Sequence, residues 1–165
     1  MNNNQISKLL LSLIAGFGAF LAIFILAFLS DITSEGLWLM APFGATTVLV
    51  FGLPKSPLAQ PKNVILGHVL TAIVGLCFVS FGIFEPWTMA LATGIGVSLM
   101  LLTNTTHPPA GANPLLILMT QQDWPFLFNP VLAGAISIVF IGWVINFLSN
   151  KIITQLHSNR RSLGH

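Results

Sequence analysis

The chain has 165 residues, 6% of them charged and 55% apolar, with a mean hydropathy of +0.88. Soluble domains carry about 25% charged residues, so this composition excludes an ordinary water-facing fold. The net charge of +2, with no Lys/Arg cluster beyond Arg160-Arg161, argues against a nucleic-acid partner, and the single Cys77 excludes a disulfide framework or a cysteine metal site.

Six apolar segments follow in chain order, at about 9–29, 37–53, 64–84, 86–102, 110–120 and 130–148. The first is a run of 21 uncharged residues. A crossing of the hydrocarbon takes about 20, and a signal-peptide core only about 7–15, so this segment is expected to be a retained span. The second is broken by Pro42 and Gly44, which leaves a half-helix entered through an extended stretch at 36–41. The third follows Asn63 and holds one titratable residue, His68, expected to snorkel to the interface beside Lys62. The fourth opens at Pro86 with Glu85 as its cap. The fifth is too short to cross at about 1.5 Å per residue and forms a second half-helix, entered through 104–108. The sixth opens with Asn129 as cap and Pro130 in the first helical position. The pattern predicts an all-α polytopic membrane protein with four long transmembrane helices and two short broken half-helices. The membrane domain covers 9–149, between a segment at 1–8 and a polar tail at 150–165 that is disordered or lies on the membrane surface.

Charge placement supports six crossings. With the N-terminus in the cytoplasm, Lys8, Lys55, Lys62, Lys151, Arg160 and Arg161 all fall inside, and Asp31, Glu35, Glu85 and Asp123 fall outside. Trp38, Trp87 and Trp124 fall near the acidic side as an aromatic belt, whereas Trp143 is expected to pack within the last span. The expected location is a bacterial inner membrane, with both termini cytoplasmic.

A shift of 67 residues aligns Pro42 with Pro109, Gly44 with Gly111, Ala45 with Ala112, Gly67 with Gly134 and Gly75 with Gly142. Each half also begins with a Gly-x-Gly, Gly16/Gly18 and Gly94/Gly96, at a different offset. Three crossings per half make the halves, about 9–84 and 86–149, two inverted three-segment repeats, a plan used by many secondary transporters. A plain bundle whose glycines permit close packing is the simpler alternative.

A half-helix that starts inside the bilayer leaves free N–H groups there, with about half a positive charge from the helix dipole. Two such tips facing each other near the midplane make a site for a small anion. The first tip offers Pro42, Phe43, Gly44 and Ala45, with the Thr46 and Thr47 hydroxyls; the second offers Pro109, Ala110, Gly111 and Ala112, with the Asn113 amide. Gly44 and Gly111 let a ligand approach the backbone. Asn113-Pro114 leaves open a helix that starts at Pro114 instead, with the donors then in a loop. The polar run before the second tip includes Thr105, Thr106 and His107. His107 either senses pH, donates to the anion or lines a gate, or else it caps a helix near the surface, bonded to a carbonyl. No Asp, Glu, Lys or Arg lies inside a span, which favours facilitated flow over ion-driven pumping. No catalytic motif, metal-ligand set or cofactor signature is present, so neither an enzyme nor a cofactor is expected.

The run Thr106-His107-Pro108-Pro109-Ala110-Gly111-Ala112-Asn113-Pro114 resembles the signature of the HPP family of integral membrane proteins, and Ala41-Pro42-Phe43-Gly44-Ala45 looks like that family's first conserved block. The resemblance covers about residues 10–149. It implies a four-helix membrane protein and, from plastid and cyanobacterial members, nitrite transport. Other members carry CBS regulatory domains, and no extension of that size is expected here. The residues alone supply "small anion"; the resemblance supplies "nitrite". The partners expected are therefore nitrite and the lipid bilayer, with a homo-oligomer plausible for so thin a bundle. A permease for a cation or neutral solute, or a non-transporting membrane subunit, are the alternatives.

Overall fold

The computed structural model describes residues 3–32 and 38–162. Helix α1 (Asn3–Ile32) is followed by a short α2 (Ala41–Thr47), which continues as a wider helical turn, Val48–Gly52. Then come α3 (Pro61–Val79), α4 (Pro86–Leu102), a tight turn Pro108–Ala112 leading into α5 (Asn113–Thr120), and a wide turn Leu127–Leu132 leading into α6 (Ala133–Ser162). The described chain is helices and connecting turns, with no strand. Among the described residues, three stretches are long and apolar enough to cross a membrane: Gln5–Ile32, Pro61–Val79 and Leu127–Ile152. Ala41–Gly52 and Pro86–Leu102 are shorter apolar helices.

Proline sets most of the starts. It occupies the first turn of α2, α3, α4 and α5, where its missing N–H costs nothing and its fixed φ suits the helix. α3 begins earlier than the sequence suggested, at Pro61 with Gln60 as the preceding extended residue. Asn63 therefore lies inside the first turn, and its side chain donates to the Thr106 carbonyl at 3.0 Å. Glu85 holds the cap position of α4 but its side chain makes no capping bond. Asn129 is extended (φ −134°, ψ 115°) before Pro130, so the last helix does turn at the expected place. Its side chain does not act as a cap, because Asn129 Oδ1 is buried without a partner. The tail is helical: α6 runs on to Ser162. The expected extended lead into α2 lies partly outside the described residues, which resume at Trp38 with its N–H on Ser30 Oγ at 2.7 Å.

The two short helices sit on different supports. α2 and its wide turn pack on α1 and α6, whereas α5 packs on α4 and α3. The glycines make this approach possible. A Cβ on Gly18 or Gly142 would run into Phe51 or Val50, and one on Gly75 would lie 3.1 Å from Pro114 Cα and 3.2 Å from Ile117. Within each Gly-x-Gly only the second glycine packs: Gly16 and Gly94 face open space. Apolar side chains left outside the bundle include Phe17, Phe20, Phe24 and Phe28 on α1, with Phe20 stacked on Phe24 and Phe24 on Phe28. This face suits lipid. Trp143 does not pack inside α6 as expected; it is exposed and stacks on Phe147. One end of the bundle gathers Lys8, Lys55 and Asn150 around a single groove, so the N-terminal part of α1, the α2–α3 loop and the distal part of α6 share a side.

Candidate functional site

The site begins with two interruptions of helical backbone. Met40 is extended (φ −134°, ψ 148°), and α2 starts directly after it. His107 is also extended (φ −138°, ψ 98°), and the Pro108–Ala112 turn starts after it. Asn113 then becomes the first residue of α5, one residue from the start that the Pro114 alternative gave, and Ala110, Gly111 and Ala112 lie in the tight turn ahead of that helix. The two breaks are brought side by side, and the contact between them is made by side chains.

Thr46 of α2 is the hub. Its Oγ1 lies 2.8 Å from His68 Nε2 and 3.0 Å from His107 Nε2. His107 Nδ1 lies 2.7 Å from the Leu58 carbonyl. Asn113 Nδ2 lies 3.1 Å from His68 Nδ1, 3.0 Å from the His68 carbonyl and 3.0 Å from Thr71 Oγ1. Thr46, His68, Thr71, His107 and Asn113 are all fully buried. The His68 and His107 rings meet edge to face at 5.0 Å, and Phe43 closes the other side of His68 at 5.3 Å. Gly67 makes room for the second break: a Cβ there would meet the Thr105 carbonyl at 2.9 Å and His107 Cβ at 3.0 Å.

Chemistry fixes the ring protons. A carbonyl only accepts, so His107 Nδ1 carries a hydrogen for Leu58, and its Nε2 is left as an acceptor. An amide NH₂ only donates, so His68 Nδ1 accepts and its Nε2 carries the hydrogen. His68 therefore donates to Thr46, and the Thr46 hydroxyl is the donor available to His107. The chain of hydrogen bonds runs one way, from Asn113 through His68, Thr46 and His107 to Leu58. The Thr46 hydroxyl has a second outlet, the Pro42 carbonyl at 3.1 Å.

Several sequence expectations change here. His68 does not snorkel: it lies seven residues into α3, about 10 Å from that helix's start, wholly inside the protein. The sequence missed it because its two partners lie 22 and 45 residues away. Along α3 His68 lies about two fifths of the way from the basic end, about 3 Å short of the helix's middle. His107 makes the carbonyl bond of its structural alternative and also joins the buried cluster. Of the expected backbone donors, Phe43 N–H is already taken by the Met40 carbonyl and Ala110 N–H by the His107 carbonyl. Asn113 does not offer its amide hydrogens to a ligand. They serve His68 and Thr71, and the atom left over is the acceptor Oδ1, buried without a partner. Thr47 donates to the Gly44 carbonyl at 2.7 Å. Thr105 Oγ1 lies 2.7 Å from Thr103 Oγ1, and Thr106 offers its carbonyl to Asn63. Pro42 and Pro109 are buried, Gly44, Ala45 and Ala112 lie on the outer surface, and Gly111 is half-buried. A Cβ on Gly44 or Gly111 would meet nothing within 4 Å, so both backbones are open to approach.

The fold and the site together define an integral membrane protein in which two broken helices meet at a buried, uncharged polar cluster. The chain belongs to the HPP transmembrane family, whose transmembrane region matches residues 4–153. Two relatives are transmembrane proteins of Dictyostelium discoideum. One is 35% identical over 146 residues, covering 84% of this chain and 51% of the relative; the other is 34% identical over 144 residues, covering 81% and 46%. The chain thus spans about half the length of the curated relatives it matches. No solved structure matches it.

Proposed function

We propose that this protein passes a small monovalent anion across the membrane, with nitrite the first candidate, through the region where the α2 and Pro108–α5 breaks meet. The observation that carries this reading is the cluster of Thr46, His68, His107 and Asn113, buried in an apolar chain without any formal charge. Polar and ionisable groups buried at membrane depth are costly and mark substrate and ion pathways. Irregular backbone at that depth is tolerated where it is enclosed by protein or lines a water-filled path.

The six segments act as two inverted repeats, α1–α3 and α4–α6, with N- and C-termini on the cytoplasmic side of a bacterial inner membrane. The packing supports this plan, because exchanging the halves exchanges the contacts. α2 on α1 and α6 corresponds to α5 on α4 and α3, and α1 on α6 corresponds to α4 on α3. Gly142 against Val50 likewise corresponds to Gly75 against Ile117 under the 67-residue shift. Rocking of the halves then passes the ion, which contacts the open backbone at Gly44 and Gly111. The protein acts without a cofactor and not as an enzyme.

One observation favours a second reading. The free polar atom of the cluster is an acceptor, Asn113 Oδ1, which suits a neutral solute that donates a hydrogen. Flux into liposomes from purified protein separates the two. The anion reading expects nitrite entry, no sodium entry, and a fall in Asn113→Leu and Thr46→Val. Entry of a neutral amide or alcohol without nitrite would establish the permease instead, and no flux of any solute would point to a non-transporting membrane subunit.

A further inference from the structure

We infer that the His68–Thr46–His107 chain takes up one proton with each anion, so that the protein is an electroneutral proton–anion symporter; this rests on the anion reading above. The geometry leaves one vacant lone pair in the chain once the Thr46 hydroxyl turns away. With both rings neutral, the Thr46 hydroxyl can donate to His107 Nε2 at 3.0 Å. The Pro42 carbonyl, 3.1 Å from the same oxygen, gives that hydrogen a second place to go. When it turns there, His107 Nε2 can bind a proton, and Thr46 Oγ1 accepts from both imidazoles. No heavy atom has to move. Every other outlet is closed: His107 Nδ1 is held on Leu58, and His68 Nδ1 is held by Asn113.

Among the described residues no carboxylate faces the charge gained in this way. The titratable group that faces His107 is His68 on α3, at 5.0 Å between ring centroids. α2 presents Thr46, the α2–α3 loop presents the Leu58 carbonyl, and Gly67 of α3 faces the His107 Cβ. Lys55, Lys62, Glu85 and Asp123 are all exposed. A buried imidazolium without a partner is expensive, and an anion beside it cancels most of that cost. Proton and anion therefore bind together and leave together, and the pair carries no net charge. At the Asn113 end, the buried Oδ1 without a protein donor calls for a guest that brings a hydrogen. A hydrated anion, or its conjugate acid, does so.

The test uses the full chain in liposomes, with nitrite entry and internal pH recorded together and the membrane potential clamped with potassium and valinomycin. Protein-free liposomes are subtracted, because nitrous acid crosses bare lipid. Symport expects about one proton per nitrite, and an accumulation that follows the pH gradient at about tenfold per unit and does not change with voltage. Lone nitrite would respond about 50-fold per 100 mV. His107→Gln keeps a hydrogen-bonding side chain but cannot take the proton, and should lose the pH-driven component. Thr46→Val removes the rotor with little change of shape and should cut the same component even where His107→Gln folds poorly. Nitrite flux that follows voltage without protons overturns the symport and leaves the anion reading intact. The same holds if either variant, folded, keeps the wild-type proton ratio. Absence of nitrite flux in the wild type overturns both.

Discussion

The two broken helices share a Pro-x-Gly-Ala pattern, yet they equip the molecule differently. The first break supplies one hydroxyl, Thr46, and one aromatic wall, Phe43, on a helix that starts cleanly after Met40. The second supplies an imidazole before its tight turn and an amide after it, His107 and Asn113. The first is thus a connector with a rotatable hydrogen, and the second carries the proton-binding and amide chemistry. The third partner, His68, belongs to neither break, and α3 delivers it between them. Related backbone elements can therefore take unequal chemical parts, and a site built from both needs a straight helix to complete it.

The comparison can be broken from the amide end first. Asn113→Leu strands His68 Nδ1 in a buried place, at about 1–3 kcal/mol, and also takes the amide bond from the His68 carbonyl and Thr71 Oγ1, which keep Thr71 and Gly67 as partners. It is expected to abolish flux and to lower the midpoint of thermal unfolding in detergent more than Gly67→Ala, Thr46→Val, Gly44→Ala or Gly111→Ala. Gly67→Ala comes next. The new methyl meets the Thr105 carbonyl at 2.9 Å, and backbone cannot swing aside as a flexible side chain does. A loss of about 1–3 kcal/mol is expected in the same unfolding measurement. Thr46→Val sharpens the contrast from the other side: it removes the connecting hydroxyl from both imidazoles. About a tenfold fall in proton-linked nitrite uptake is expected, equivalent to roughly 1.4 kcal/mol, with a smaller loss of stability than in Asn113→Leu.

The smallest structural effect is expected at the two matched glycines. Gly44→Ala and Gly111→Ala place their methyl groups in open space, so unfolding midpoints should stay within about 0.5 kcal/mol of wild type. A drop in nitrite flux in either protein, with stability unchanged, would then report ligand approach to that backbone. Equal flux in both would remove the glycines from the pathway and leave the side-chain cluster alone.

Much of the framework was legible in the sequence. Low charge and long apolar runs established the membrane class, because a lipid-facing surface cannot tolerate what a water-facing surface requires. Pro42 and Pro109 located the breaks, and Pro86 located the start of α4, because proline restricts the backbone locally whatever surrounds it. The Thr106–Pro114 run pointed to the family. Other features were legible only in part: Asn113 was singled out, but with its amide turned the wrong way, and Gly16 and Gly94 were paired with glycines that pack while they themselves do not.

Local rules of this kind depend on residues a few positions apart, so composition, breaks and helix starts were already determined by the chain order. Which buried groups touch was decided by packing alone. Thr46 meets His107 across 61 residues of sequence, and Asn113 meets His68 across 45. Helix rotation and depth set those pairs, and a hydrogen bond formed across such distances leaves no periodic trace in the sequence. The tertiary structure thus added to an expected pair of amide tips a chain of imidazole, hydroxyl and amide, because the backbone donors of Phe43 and Ala110 found partners close by and the distant side chains filled the space between them.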